Sequence, residues 1–138
     1  MRMSAVAISV LLAFGVWGAA SATPDKLQFV DPAPMPAGDA VRGADVYEGS
    51  CGGCHSLDAN RVGPAHRGVV GRKAGTAPDF NYSPALKASG VSWTPENLDA
   101  WLTNPQGFVK GARMGFRLSD AQKRADVIAY LAQEDSRQ

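Results

Sequence analysis

The sequence predicts an all-α fold, three main helices joined by long loops. Three observations carry that prediction. Three segments open on capping signals and continue with apolar residues at helical spacing. The stretches between them are rich in Gly and Pro. No convincing run of strands occurs in the 138 residues, and no internal repeat is visible. The length suits one domain. With 45% hydrophobic and 20% charged residues the composition is that of a globular chain, so disorder is not expected over most of it.

The N-terminal segment is set aside first. Arg2 precedes an uncharged run from Ser4 to Ala20, and Ala20-Ser21-Ala22 matches an A-x-A cleavage site. Residues 1–22 are read as a secretory signal peptide or, since the run nearly reaches spanning length, as an uncleaved anchor. Either reading puts the remaining domain outside the cytoplasm, and the periplasm is the expected compartment. Residues 23–38, with Pro32, Pro34, Pro36 and Gly38 and no helical period, form a Pro/Ala-rich arm. The domain proper is 39–138. Without residues 1–22 the chain holds thirteen basic and thirteen acidic groups. That balance argues against a nucleic-acid binder, which shows a basic excess.

Asp39 caps a helix running to about Cys51, with Gly43 and Tyr47 at i, i+4 on one face. A helical Gly costs ~1 kcal/mol against Ala, which close approach by another helix would justify. Cys51-Gly52-Gly53-Cys54-His55 then gives the C-x-x-C-H pattern of covalent haem c attachment. Each thiol adds across one vinyl group of a haem, and the next residue turns its imidazole onto the iron. Gly52 and Gly53 keep side chains off a backbone expected to run close to the porphyrin rim. The same spacing serves a redox disulfide. His55 and the lack of a surrounding strand–helix pattern argue for the haem.

Residues 56–92 form a long loop, interrupted by a short helix around Ser83 to Ala88. A loop of this length in a compact domain needs a reason, and a flat apolar ring for its side chains to pack on supplies one. Thr94-Pro95 reads as N-cap and N1 of the second main helix, whose buried face is Leu98, Trp101 and Leu102. Asn104-Pro105 ends it, and 105–118 is read as another loop, containing Met114. Ser119-Asp120-Ala121-Gln122 opens the last helix as a capping box. Its apolar stripe is Val127, Ile128, Tyr130 and Leu131, with Lys123, Arg124, Asp126 and Glu134 on the wet side.

From about Gly38 to Gln133 these residues resemble class I cytochrome c, especially the small soluble bacterial proteins close to the mitochondrial one. Gly43-x-x-x-Tyr47 is similar to the family's N-terminal helix, and Val127-Ile128-Ala129-Tyr130-Leu131 to its C-terminal partner. Val62-Gly63-Pro64 resembles the turn whose proline carbonyl accepts the proximal histidine's N–H. Gly71-Arg72-Lys73, Phe80-Asn81-Tyr82-Ser83 and Gly90-Val91-Ser92-Trp93 resemble segments that close over the haem propionates. Gly111-Ala112-Arg113-Met114 looks like the loop supplying the axial methionine.

The resemblance implies a cytochrome c fold around one haem c, bound through Cys51 and Cys54. It implies His55 and Met114 as iron ligands, Pro64 orienting His55, and Arg72, Tyr82 and Trp93 as propionate partners. Met1 and Met3 lie in the signal and Met35 in the arm, on the wrong side of the haem motif. His/Met ligation leaves the iron six-coordinate, with no open position for a small-molecule substrate. The expected function is periplasmic electron transfer by a monomer, not an enzyme. Its partners would be redox proteins: membrane respiratory complexes, or a dehydrogenase or oxidase. Arg61, Lys110, Arg113 and Arg117 would rim the haem edge.

Three positions depart from the family. Trp101 stands where mitochondrial relatives have a tyrosine near the methionine sulfur. Ala112 replaces a threonine, and His66 replaces a leucine that packs on the haem. Two further readings stay open on the sequence. One is a haem enzyme or gas sensor with an open iron and His66 as proton donor. The other is an electron-entry module docked on an enzyme through residues 23–38.

Overall fold

Asp39 opens the first helix by accepting the backbone N–H groups of Val41 (2.8 Å) and Arg42 (3.0 Å) on its carboxylate. This satisfies two of the donors that any helix start leaves over. The computed structural model describes residues 34–137, so the expected signal peptide and most of the arm lie outside the described residues. Five helices follow in order: α1 (Ala40–Ser50), α2 (Pro84–Ala88), α3 (Pro95–Thr103), α4 (Pro105–Phe108) and α5 (Ala121–Asp135). Among the described residues there is no strand beyond an isolated antiparallel bridge, Lys73 with Ser92. No helix among them is long and apolar enough to cross a membrane.

The fold is built on the crossing of α1 and α5. Gly43 makes it possible: a Cβ there would lie 2.0 Å from the carbonyl oxygen of Asp126. Tyr47 packs beside it, its ring centroid 5.4 Å from that of Tyr130. Gly38 touches Ala125 in the same way, so the described end of the arm lies against α5, where Gln122 Nε2 donates to Ala37 O at 2.8 Å. Helix α3 joins through Leu98, Trp101 and Leu102, all buried. Arg124 of α5 ties to α3 through Asp99 Oδ1 at 2.6 Å.

The structure corrects the sequence reading at three places. The cap of α5 is Asp120, not Ser119: its side chain accepts from Lys123 N–H, and Gln122 turns to Ala37 and Asp126 instead of closing a box. The segment 105–118 is not all loop. Asn104 both ends α3 and caps α4, its side chain accepting the Gly107 N–H at 3.2 Å. Asp126 and Glu134 are not on a wet face; both are buried.

Burial of those carboxylates is tolerable because each has partners. Asp126 receives Arg42 Nε and Nη2, both at 2.9 Å, Asp39 N–H at 2.8 Å and Gln122 Nε2 at 2.9 Å. Chiefly through the Arg42 hydrogen bond, its pKa is held down to about 2. Glu134 meets Arg67 Nη1 at 3.3 Å and Arg137. The neighbouring Asp135 accepts Val70 N–H at 2.8 Å and Gly68 N–H. The end of α5 thus fixes the start of the long loop.

Candidate functional site

The C-x-x-C-H motif continues the last turn of α1. Cys51 and Gly52 both donate to Tyr47 O (2.8 and 2.9 Å), and His55 N–H returns to Cys51 O at 2.9 Å. Cys51 is half-buried and Cys54 exposed, and the two are not joined to each other by a disulfide. Burial, with Cys54 adding to it, pushes the Cys51 pKa up to about 11. The two glycines differ in their protein surroundings. A Cβ on Gly52 would sit 2.7 Å from Glu48 O, whereas one on Gly53 would meet open space.

Cys51, Cys54, His55, Pro64, Arg72, Tyr82, Trp93 and Met114 all line one cavity of about 480 Å³, a size usual for cofactor pockets. The remaining wall is mostly apolar, with Val69, Leu86, Leu98, Leu102, Val127 and Leu131 among its residues. The His55 ring is held by its own chain. Pro64 O stands 2.9 Å from Nδ1, so that nitrogen carries the proton and donates. Gly63 backs the ring so closely that a Cβ there would fall 2.0 Å from Cε1. Burial lowers the His55 pKa, with the Pro64 contact opposing it. The imidazole is therefore neutral near pH 7, leaving Nε2 as its lone-pair donor.

Arg72 and Trp93 are brought together by backbone pairing: Trp93 N–H donates to Arg72 O (2.9 Å) and Gly71 N–H to Trp93 O (2.8 Å). The Arg72 guanidinium donates from Nη1 to Arg67 O and from Nη2 to Ala65 O, each at 3.0 Å. Its Nε is the one buried side-chain polar atom without a partner among the described residues. Tyr82 is buried, and its Oη accepts Ala77 N–H at 3.3 Å, which leaves its O–H free to donate. Trp93 lies edge-on to Trp101, centroids 5.2 Å apart.

Met114, another lining residue, sits half-buried in a loop pinned by its neighbours. Gln106 Nε2 donates to Ala112 O and to Met114 O (2.9 Å), and Arg113 Nη1 to Asn81 O (2.7 Å). Sequence reasoning missed Gln106, since nothing in its type marks it. Of the four cations expected at a rim, Arg113 lines the cavity, while Arg61 donates to Gly52 O at 2.8 Å and braces the motif. His66 lines the cavity in face-to-face contact with His55, ring centroids 4.0 Å apart. Rings so stacked do not approach one iron from opposite sides, which removes His66 as a distal donor.

The residues fit a haem. Two thiols stand at the wall, an imidazole and a thioether line one apolar space, and an unpaired buried guanidinium N–H suits a carboxylate. Comparison with known proteins agrees. The sequence model of the family described as Cytochrome c matches residues 40–135. The chain is 44% identical over 111 residues to a cytochrome c2 of Rhodopseudomonas palustris, covering 68% of this chain and 96% of the relative. It is 40% identical to the cytochrome c2 of Rhodomicrobium vannielii, covering 94% and 96%. Among solved structures it is similar to cytochrome cH of Methylobacterium extorquens (TM-score 0.67, 42% identity, 70% of this chain and 99% of that one). With a family model spanning α1 to α5 and relatives matched over nearly their whole length, the chain belongs to the cytochrome c family, whose members carry electrons on haem c and are not enzymes.

Proposed function

We propose that this protein is a periplasmic one-electron carrier with His55 and Met114 as the axial iron ligands and Cys51 and Cys54 as the thioether residues. The observation that supports it most is that these four side chains line one cavity, with His55 Nδ1 already engaged by Pro64. The haem supplies a one-electron iron couple. Cys51 and Cys54 tether it to the end of α1. Pro64 and Gly63 fix the His55 ring so that Nε2 is the nitrogen that would be offered to iron, and the Met114 sulfur would be its second protein ligand. Arg72 Nε, the Tyr82 hydroxyl and the Trp93 indole N–H are the donors for the propionates, whose burial otherwise costs several kcal/mol.

A fixed protein frame on both sides of the iron changes little on electron exchange, which suits transfer between proteins. Val62 and Phe116, both large and exposed, border the cavity with Arg113 and form the contact patch for a redox partner. The partners are redox proteins, membrane respiratory complexes or a dehydrogenase or oxidase, met by a monomer. Export through residues 1–22 places it in the periplasm.

The test is an absorption spectrum of the ferric and ferrous holoprotein, with and without carbon monoxide, for wild type and Met114→Ala. Wild type is expected to show the sulfur–ferric iron charge-transfer band and to ignore carbon monoxide. Met114→Ala is expected to lose the band and bind the gas. Rapid carbon monoxide binding by wild type refutes the ligand assignment.

A further inference from the structure

His66 lines the cavity, and the electron-transfer reading gives it no task. Its ring lies against that of His55 with 20° between the planes and 4.0 Å between centroids. Its Nδ1 is 3.2 Å from the hydroxyl of Tyr47. Tyr47 is itself immobilised: it is 5% exposed, on α1, and tilted against Tyr130 of α5. The backbone around His66 is equally constrained. Its N–H donates to Ser56 O at 3.0 Å, and Arg72 takes the carbonyls of both neighbours, Ala65 and Arg67.

His55 needs such support. The χ2 torsion of a histidine is soft, and the hydrogen bond to Pro64 O holds one ring nitrogen without fixing the plane through it. Gly63 packs on the ring at Cε1, and the flat, braced ring of His66 adds the constraint on the plane, because rocking His55 about its Cβ–Cγ bond drives its edge into His66. The plane matters chemically. An axial imidazole donates through an oriented π system, so its azimuth decides which iron orbital is raised. Groups that orient a ligand tune the metal as the ligand itself does.

We propose that His66, braced by the Tyr47 hydroxyl, is a positioning residue that sets the plane of the His55 imidazole and thereby the electronic asymmetry and reduction potential of the iron. This rests on His55 being an iron ligand. The chain of contacts runs from the α1–α5 crossing through Tyr47 and His66 to His55, so the helix interface and the metal site are mechanically one unit.

The experiment uses the holoprotein and two substitutions, His66→Leu and Tyr47→Phe, alone and together. Ferric electron paramagnetic resonance reads the asymmetry, and a redox titration reads the potential. His66→Leu is expected to shift the low-spin g values and the potential. Tyr47→Phe, which removes one hydroxyl and keeps the ring, is expected to shift both in the same direction by less. The double variant is expected to go no further than His66→Leu, because Tyr47 acts through His66. Wild-type g values and potential in both single variants, with thermal stability alone lowered, overturn the proposal. If His66→Leu gives no holoprotein, Tyr47→Phe decides by the same readings. Failure of the underlying ligand assignment looks different: wild type itself lacks a low-spin signal with histidine nitrogen coupling.

Discussion

Gln106 holds Met114 by the backbone. Its amide donates to the carbonyls of Ala112 and Met114, and the intervening Gly111 turns the loop at φ +90, where a side chain would be strained. Alanine at 112 offers no hydroxyl to its neighbours, and this bracket holds the stretch from outside. Gln106→Ala is therefore expected to weaken the closed loop by about 1 kcal/mol, a roughly fivefold faster displacement of Met114 by added imidazole. An unchanged displacement rate in ferric protein would show that the bracket is idle. The residues brought to one cavity were legible in sequence because their types and spacing are unusual: Cys and His in one short pattern, Met in one loop. Gln106 was not legible, since an exposed amide becomes informative only when its partners are known.

At the scale of elements, the α1–α5 crossing is held by Asp126 as much as by apolar contact. Its carboxyl is lowered from the ordinary 3.8 to about 2, chiefly by Arg42. A lowered folded-state pKa stabilises the fold above the unfolded value and loses that effect as pH falls through the folded one. The gap in thermal midpoint between wild-type holoprotein and Asp126→Asn is thus expected to be full above pH 3.8 and to close as pH falls to about 2. A gap independent of pH would mean that the carboxylate charge contributes nothing. The sequence reading put Asp126 and Glu134 on the wet face because charge normally marks solvent. Glu134 lies three residues after Leu131, on the continuation of the buried stripe, so its spacing pointed inward while its charge pointed out. Arg67 decided between them.

For the whole molecule, core and site are the same residues. Leu98, Leu102, Val127 and Leu131 belong to the buried cluster and also line the cavity. Without a group to fill the space of about 480 Å³ between them, these side chains face water or collapse, and the apolar burial that joins the helices is lost. Protein carrying Cys51→Ala and Cys54→Ala, isolated without haem, is therefore expected to keep helical far-ultraviolet dichroism while losing near-ultraviolet signal and a cooperative melt. A sharp thermal transition in that variant would show that the helices close on themselves.

The sequence by itself determined the attachment motif, the three main helices and the faces by which α1, α3 and α5 meet. Those are written in caps, spacings and periods that span a few residues. The tertiary structure decided what depends on distant partners: the burial of Asp126 and Glu134, the Gln106 bracket, the turn Pro105–Phe108 as helix, and the stacking of His66 on His55. Asp39 and Asp126 are 87 positions apart, yet their hydrogen bond is 2.8 Å long. No local pattern encodes such a pairing. It follows from packing, once Gly43 has let two helices touch.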